Sequence, residues 1–278
     1  MSSALDRYVV IGNPIEHSKS PAIHAQFALQ TQQALSYERL LVALDGFDIA
    51  IKELIASGVR GANVTLPFKL DAYNIATDLT PRARAAGAVN TLKFEGDKIL
   101  GDNTDGIGLV RDIVVNAGVA LQGSRILLLG AGGAARGVIL PLLSELPAEL
   151  VIANRTIQKA QDLLAHFHGH LVALDASSFE ALSGEFDVVI NATSASLSDS
   201  VPNISSALLN QKSFVYDMMY GAKPTRFMQW AAEKKASVRD GLGMLVEQAA
   251  ESFELWRGVR PDTAAVYTGL RSQLDHSA

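Results

Sequence analysis

Gly130, Gly132 and Ala135 fit the spacing G-x-G-x-x-A, with Gly133 and Gly137 adding freedom nearby. A side chain at Gly132 would hold the backbone away from a pyrophosphate, and a helix starting just beyond would offer unpaired N–H groups to anionic oxygens. Glycine-rich turns also occur for packing alone, so context decides. Here an apolar run precedes the loop (Arg125–Gly130), a helical pattern follows it to Leu143, and a second apolar run spans Glu149–Asn154. Dinucleotide binding is the expected role, and the end of that second run selects the dinucleotide. An NAD site usually has an acid there for the ribose 2′-hydroxyl. This chain has Asn154-Arg155-Thr156 and then Lys159, with no acid. A carboxylate would repel a 2′-phosphate, whereas Arg155 and Lys159 attract one and Thr156 can donate to it. NADP is the expected cofactor; the alternative is Thr156 as a helix N-cap beside two solvated cations.

A second group of polar residues lies in the first hundred positions. Ser18-Lys19-Ser20-Pro21 follows the first apolar run, and Asn63-Val64-Thr65 alternates so that Asn63 and Thr65 share a face of a strand. Lys69 follows Pro67, Asn90-Thr91 closes a Gly-Ala-Val stretch, and Asn103-Thr104-Asp105-Gly106 comes next. Singly, each has a structural explanation: serines cap helices, asparagines make turns, Lys69 could be a surface cation and Asp105 an N-cap. Together they gather hydroxyls and amides at a domain junction, as a cleft holding a polyhydroxylated carboxylate requires.

These residues need elements to hold them. Strands are expected at Tyr8–Gly12, Ser36–Ala43 and Gly61–Pro67, with helices from Ser20 (as N-cap, Pro21 at the first position), at Phe47–Ala56, Phe68–Ala76 and Pro81–Ala86. Gly96-Asp97 is a hairpin turn. A helix at Ile107–Ala117 opens a second α/β unit with further strands at Phe186–Thr193 and Phe214–Tyr220. After Gly241 the pattern is helical, at Met244–Gly258 and Asp262–Leu274. The fold class is α/β with two domains: a substrate domain of residues 1–105 and 242–278, and a Rossmann-type NADP-binding domain of residues 106–241.

Composition agrees. A chain of 278 residues suggests about two domains. With 48% hydrophobic and 19% charged residues it is globular, and a net charge of −5 argues against nucleic acid as a partner. Zero cysteines exclude disulfides, cysteine metal sites and thiol nucleophiles. His166, His168 and His170 alternate, but no carboxylate cluster accompanies them and no metal is expected. His24, Trp230 and Trp256 are expected to pack. The apolar stretch Tyr8–Ile11 is too short for a signal peptide, and no run could span a membrane, so a cytoplasmic location is expected.

The blocks SKSPAIH, GANVTLPFK, GAVNT, GDNTDGIG, GAGGAARG, NRT, INATS and DGLGMLVEQA together resemble the shikimate dehydrogenase family, in order, from about Val10 to Gly258. The resemblance implies NADPH-linked reduction of 3-dehydroshikimate to shikimate on the route to aromatic amino acids. It implies Lys69 and Asp105 as the catalytic pair, and Ser18, Ser20, Asn63, Thr65, Lys69, Asn90, Asp105, Tyr220 and Gln248 as substrate ligands. It further implies Gly130, Ala131, Gly132, Gly133, Ala134, Asn154, Arg155, Thr156, Lys159, Met218 and Gly241 as cofactor contacts. Two positions depart from the family pattern: Pro81 stands where some relatives have glutamate, and Lys159 where arginine is found, keeping the charge but losing the bidentate fork. The rivals are an NAD-linked quinate/shikimate dehydrogenase and a non-catalytic dinucleotide sensor. The expected partner is the small-molecule substrate, on a monomer or homodimer.

Overall fold

The computed structural model describes residues 5–167 and 172–276. In chain order the first elements are β1 (Asp6–Gly12), α1 (Ser20–Thr31), β2 (Leu35–Leu41), α2 (Phe47–Ala56), β3 (Val59–Val64) and α3 (Lys69–Ile75). Then come β4 (Asp78–Leu79), α4 (Pro81–Ala86), β5 (Thr91–Glu95), β6 (Lys98–Asp102) and α5 (Asp105–Arg111). A second series follows: β7 (Arg125–Leu129), α6 (Gly133–Ser144), β8 (Glu149–Ala153), α7 (Ile157–Leu164), β9 (Ala173–Ser177), β10 (Val188–Asn191) and β11 (Phe214–Asp217). The chain closes with α8 (Arg226–Ala232), β12 (Ser237–Asp240), α9 (Leu242–Arg257) and α10 (Ala264–Asp275).

Two compact units result. One comprises residues through Gly108 together with Val246–Val266; the other comprises Leu109–Leu245 together with residues from Tyr267 onward.

The sheet of the first unit has the order β2-β1-β3-β5-β6-β4. It is mixed: β1 pairs in parallel with β2 and β3, while β5 runs antiparallel to both β3 and β6. The β5–β6 hairpin turns at Gly96, as the sequence indicates, with Glu95 opposite Lys98 and a positive φ of 61° at the glycine. Ile11, Ile51, Ala62, Phe68, Ala72 and Leu92 are fully buried in its core. Strand β3 ends at Val64, earlier than the expected Pro67, because Phe68 N turns back to the Thr65 carbonyl (3.1 Å). Ser20 is the first residue of α1 rather than its cap: Lys19 occupies the cap position with no side-chain bond, and Ser18 Oγ accepts from Ser20 N (3.3 Å).

The sheet of the second unit is wholly parallel, in the order β9-β8-β7-β10-β11-β12. This is the doubly wound dinucleotide-binding order, reversing between β7 and β10. Its central strands are covered on both faces, hence the continuous apolar run Ile126–Leu129. Strands β9 and β12, which the sequence reading misses, are the two edges.

The expected helix at Ile107–Ala117 is α5 running into a π-turn at Asp112–Asn116. Asp112 is fully buried there, taking Arg239 on both oxygens (2.6 and 2.8 Å), the Tyr216 hydroxyl (2.8 Å) and the Asn116 amide (3.0 Å). The unit boundary differs from the expected 242–278 return: residues from Tyr267 onward group with the second unit. The Arg271 guanidinium holds both Asp240 oxygens (2.5 and 2.6 Å) and the Gly221 carbonyl (3.0 Å), and Arg239 lies 5.3 Å over the Tyr267 ring. Helical periodicity alone cannot reveal such distant ion pairs.

Candidate active site

Within the first unit, Lys69 opens α3 and Asp105 opens α5. Lys69 Nζ donates to Asp105 Oδ2 (2.6 Å), and Asn90 Nδ2 donates to Asp105 Oδ1 (2.8 Å). Asn90 is itself fixed, its Oδ1 accepting from Thr104 N (2.9 Å). Asn103 adds a further brace: its Oδ1 accepts from Asp105 N (3.2 Å) and its Nδ2 donates to the Ala88 carbonyl (3.1 Å). Gln248 Oε1 approaches the same group, 3.4 Å from Thr104 Oγ1 and 3.5 Å from Asn90 Nδ2. The arrangement leaves an ammonium and a carboxylate adjacent and only partly covered, with side-chain relative exposures of 28% and 17%. Such a pair can deliver a proton to an oxygen and orient the group that receives it.

Asn63 lies one strand away, paired with Thr91 in the β3–β5 register. Its Oδ1 accepts from the Tyr37 hydroxyl (2.7 Å), and its Nδ2 reaches Ser252 Oγ (2.9 Å), Thr91 Oγ1 (3.0 Å) and the Asn90 carbonyl (3.2 Å). Thr65, half-buried, follows just beyond β3, its methyl close under Gly12. Behind Tyr37 stands His24, which packs as the sequence indicates. Its ring stacks on Tyr37 (centroids 4.1 Å apart, planes 8° from parallel) and leans on Trp256 (5.4 Å). Neither nitrogen of His24 finds a hydrogen-bond partner among the described residues, and burial pushes the imidazole down to about 3. Burial raises the Tyr37 phenol well above its ordinary range, so it remains a donor.

In the second unit, β7 ends at Leu129 and Gly130 follows it; the φ of 107° at that position favours glycine, and a Cβ there would lie 3.1 Å from the Ala192 carbonyl. Gly132 caps α6 without any side-chain bond, so the first-turn N–H groups stay open to a ligand. A Cβ at Gly132 or Gly133 would meet no protein atom within 4 Å. Asn154 Nδ2 donates to the Thr156 carbonyl (2.9 Å), which shapes the turn after β8. Thr156 occupies the cap position of α7 without a side-chain bond. Arg155, Thr156 and Lys159 are exposed, and neither cation has an ion-pair partner among the described residues. An uncapped helix N-terminus, open space over the loop and two uncompensated cations fit an NADP pyrophosphate and 2′-phosphate.

Met218 and Gly241 also fall in this unit. Gly241 N donates to the Met219 carbonyl (3.0 Å), and a Cβ on Gly241 would collide with the Met218 carbonyl. Tyr220 follows β11, half-buried, its phenol raised by burial and by the Asp240 carboxylate. His166 is exposed, with Nδ1 2.7 Å from the Asp162 carbonyl; His168 and His170 lie outside the described residues.

Sequence reasoning missed several residues of the first-unit network. Thr91 and Thr104 lie inside the motifs named from the sequence, Asn90-Thr91 and Asn103-Thr104-Asp105-Gly106, though with no role assigned to them. Ser252 lies four residues beyond Gln248, the helical spacing that puts both on one face of α9, and this could have found it. Tyr37 left no such signal. Pro81 is simply the exposed first residue of α4, after the Thr80 cap.

A mixed α/β unit carrying a lysine–aspartate pair, joined to a doubly wound unit with an open glycine loop, defines a dinucleotide-dependent α/β oxidoreductase. Family models agree along the chain: a shikimate dehydrogenase substrate binding domain matches residues 10–92, a shikimate/quinate 5-dehydrogenase model residues 112–212, and a shikimate 5′-dehydrogenase C-terminal domain residues 241–268. The shikimate dehydrogenase (NADP(+)) of Janthinobacterium sp. (strain Marseille) is 64% identical over 99% of this chain and 100% of its own length. Among solved structures, an Ael1 enzyme from Pseudomonas putida superposes with TM-score 0.91 at 48% identity, over 95% of this chain and 98% of that one. Shikimate 5-dehydrogenase from Thermus thermophilus, solved with NADP(H) and shikimate, gives TM-score 0.83 at 30% identity, over 97% and 100%. The chain belongs to the shikimate dehydrogenase family.

Proposed function

We propose that this chain catalyses the reversible NADPH-linked reduction of 3-dehydroshikimate to shikimate, a step in aromatic amino acid biosynthesis, with Lys69 and Asp105 at the reacting carbonyl. The observation that carries this reading is the division of the Asp105 carboxylate between Lys69 Nζ at 2.6 Å and Asn90 Nδ2 at 2.8 Å.

NADPH, when bound, supplies hydride to the carbonyl carbon. The carbonyl oxygen then gains charge and needs a proton. The Lys69 ammonium stabilises that charge and hands over the proton; in the oxidative direction its neutral amine takes the proton back. Asp105 keeps the lysine in place and accepts from a substrate hydroxyl. Ser18, Ser20, Asn63, Thr65, Asn90, Tyr220 and Gln248 supply fixed hydrogen-bond partners to the other hydroxyls and the carboxylate. The backbone of Gly130–Ala134 at the start of α6 receives the pyrophosphate. Arg155, Thr156 and Lys159 receive the 2′-phosphate beside Asn154, with Met218 and Gly241 as further cofactor contacts.

The test is the change in reduced-nicotinamide absorbance on adding shikimate with NADP, compared with NAD and with quinate. Shikimate-dependent reduction of NADP at a higher kcat/KM than NAD supports the reading. Cofactor binding without turnover would make the chain a sensor, and preference for NAD with quinate would make it the quinate-active relative.

A further inference from the structure

Two of the candidate substrate ligands stand three residues from opposite partners of one guanidinium. Asp105 comes three residues after Asp102, and Gln248 comes three residues before Glu251. Arg82, on α4, holds both carboxylates. Its Nε and Nη2 donate to Asp102 Oδ1 (2.8 Å) and Oδ2 (2.5 Å), and its Nη1 donates to Glu251 Oε1 (2.8 Å).

We infer that Arg82 is a positioning residue for the reaction, tying the β6–α5 loop that carries Asp105 to the turn of α9 that carries Gln248. The inference rests on the functional reading above.

The segment between β6 and α5 has little regular backbone pairing to locate it. Its side chains do that work, beginning with Asp102, whose side chain is 1% exposed. Thr80 Oγ1 and Asn103 N complete the Asp102 shell at 2.5 and 2.7 Å. Burying a carboxylate is costly without compensating donors, and Arg82 is the charged one for Asp102. On the other side, Glu251 turns its second oxygen to Arg260 Nη1 (2.7 Å), and Arg260 Nη2 also holds Glu247 (2.9 Å). The α9 turn is therefore fastened from both sides, and Arg82 is its charged tie to the segment before Asp105, beside the neutral contacts of Thr104 with Gln248 and Ser252. The planar fork matters: a lysine could balance the charge on Asp102 but could not span both carboxylates at defined angles.

The experiment compares Arg82→Lys, Glu251→Ala and Glu251→Gln with the wild-type enzyme. It follows kcat, KM for shikimate and for NADP, shikimate binding by calorimetry without cofactor, and melting temperature. Arg82→Lys should lower kcat about tenfold, since ångström-scale misplacement of a catalytic group is costly, and should weaken shikimate binding, with KM for NADP unchanged. Glu251→Ala should weaken shikimate binding by a larger factor than it lowers kcat, and Glu251→Gln, which keeps an acceptor for Nη1, should recover most of that binding. If Arg82→Lys does not fold, the two Glu251 variants decide alone. Melting shifts with wild-type kcat and shikimate affinity would overturn the inference by making the network structural only, as would equal losses toward shikimate and NADP. Wild-type protein that neither binds shikimate nor turns over would sink the functional reading and this inference with it; active wild type with indistinguishable variants would sink the inference alone.

Discussion

Lys69 Nζ and Asp105 Oδ2, 2.6 Å apart, join the first residue of one helix to the first residue of another. A carboxylate suits a helix N-terminus, whereas an ammonium there opposes the local positive field. The aspartate thus settles both charges. Lys69→Ala should lower turnover by about 10²–10⁴-fold, the usual worth of a positioned proton donor, while shikimate affinity changes only a few-fold. Steady-state kinetics beside direct binding checks this; equal losses in both would leave Lys69 a binding residue.

Asn90 serves several neighbours with one amide, among them Thr104 N, from which it accepts, and Asp105 Oδ1, to which it donates. Asn90→Ala should leave the Thr104 N–H buried and unpaired, costing about 1–3 kcal/mol of stability, and should release Asp105. Urea unfolding should register the first effect and kcat the second. A loss of stability with full turnover would show that Lys69 alone holds the aspartate.

Arg155 and Lys159 are exposed cations without ion-pair partners among the described residues. Arg155→Ala should raise KM for NADP by about tenfold or more, as expected for one lost charge-assisted contact, and should leave KM for NAD nearly unchanged. The ratio of kcat/KM values for the two cofactors is the measurement. A parallel change for both would place Arg155 away from the 2′-phosphate.

His24 makes stability depend on pH. In the unfolded chain its imidazole titrates near 6.5, whereas in the fold burial holds it down to about 3. Between those values the unfolded chain binds a proton that the fold excludes, so stability is complete above pH 6.5 and declines as pH falls toward 3. From pH 6.5 to 5 the loss from this group is about 2 kcal/mol. His24→Phe keeps a flat ring against Tyr37 and should remove that part of the slope. Chemical unfolding of both proteins across this range checks it; identical slopes would mean that His24 is protonated in the fold.

What could be read in the sequence was what neighbouring residues encode. The run into Gly130, the helix after it and the acid-free turn at Asn154–Lys159 are local patterns, and the fold keeps them. Strands β9 (Ala-Leu-Asp-Ala-Ser) and β12 (Ser-Val-Arg-Asp) escaped notice because edge strands need no continuous apolar run. In β12 the Arg239 and Asp240 side chains are spent on Asp112 and Arg271. The candidate site divides in the same way. Asn63, Lys69, Asn90 and Asp105 sit in recognisable short motifs, but the partners that hold them come from afar, as Glu251 does to Arg82 across 169 positions. No local pattern encodes such a pairing.

The return of the chain to its first unit at Val246 sets an order on synthesis. Asn63 and Thr91 leave the ribosome early, yet their partner Ser252 follows the entire dinucleotide-binding sheet. Trp256, which donates to the Leu92 carbonyl at 3.0 Å, emerges later still. The nascent chain must therefore carry an unfinished substrate unit while the second sheet is being made. The second unit in turn includes residues from Tyr267 onward, where Arg271 pairs with Asp240. Neither unit exists as one contiguous stretch, so a chain stopped before residue 246 lacks the closing piece of both.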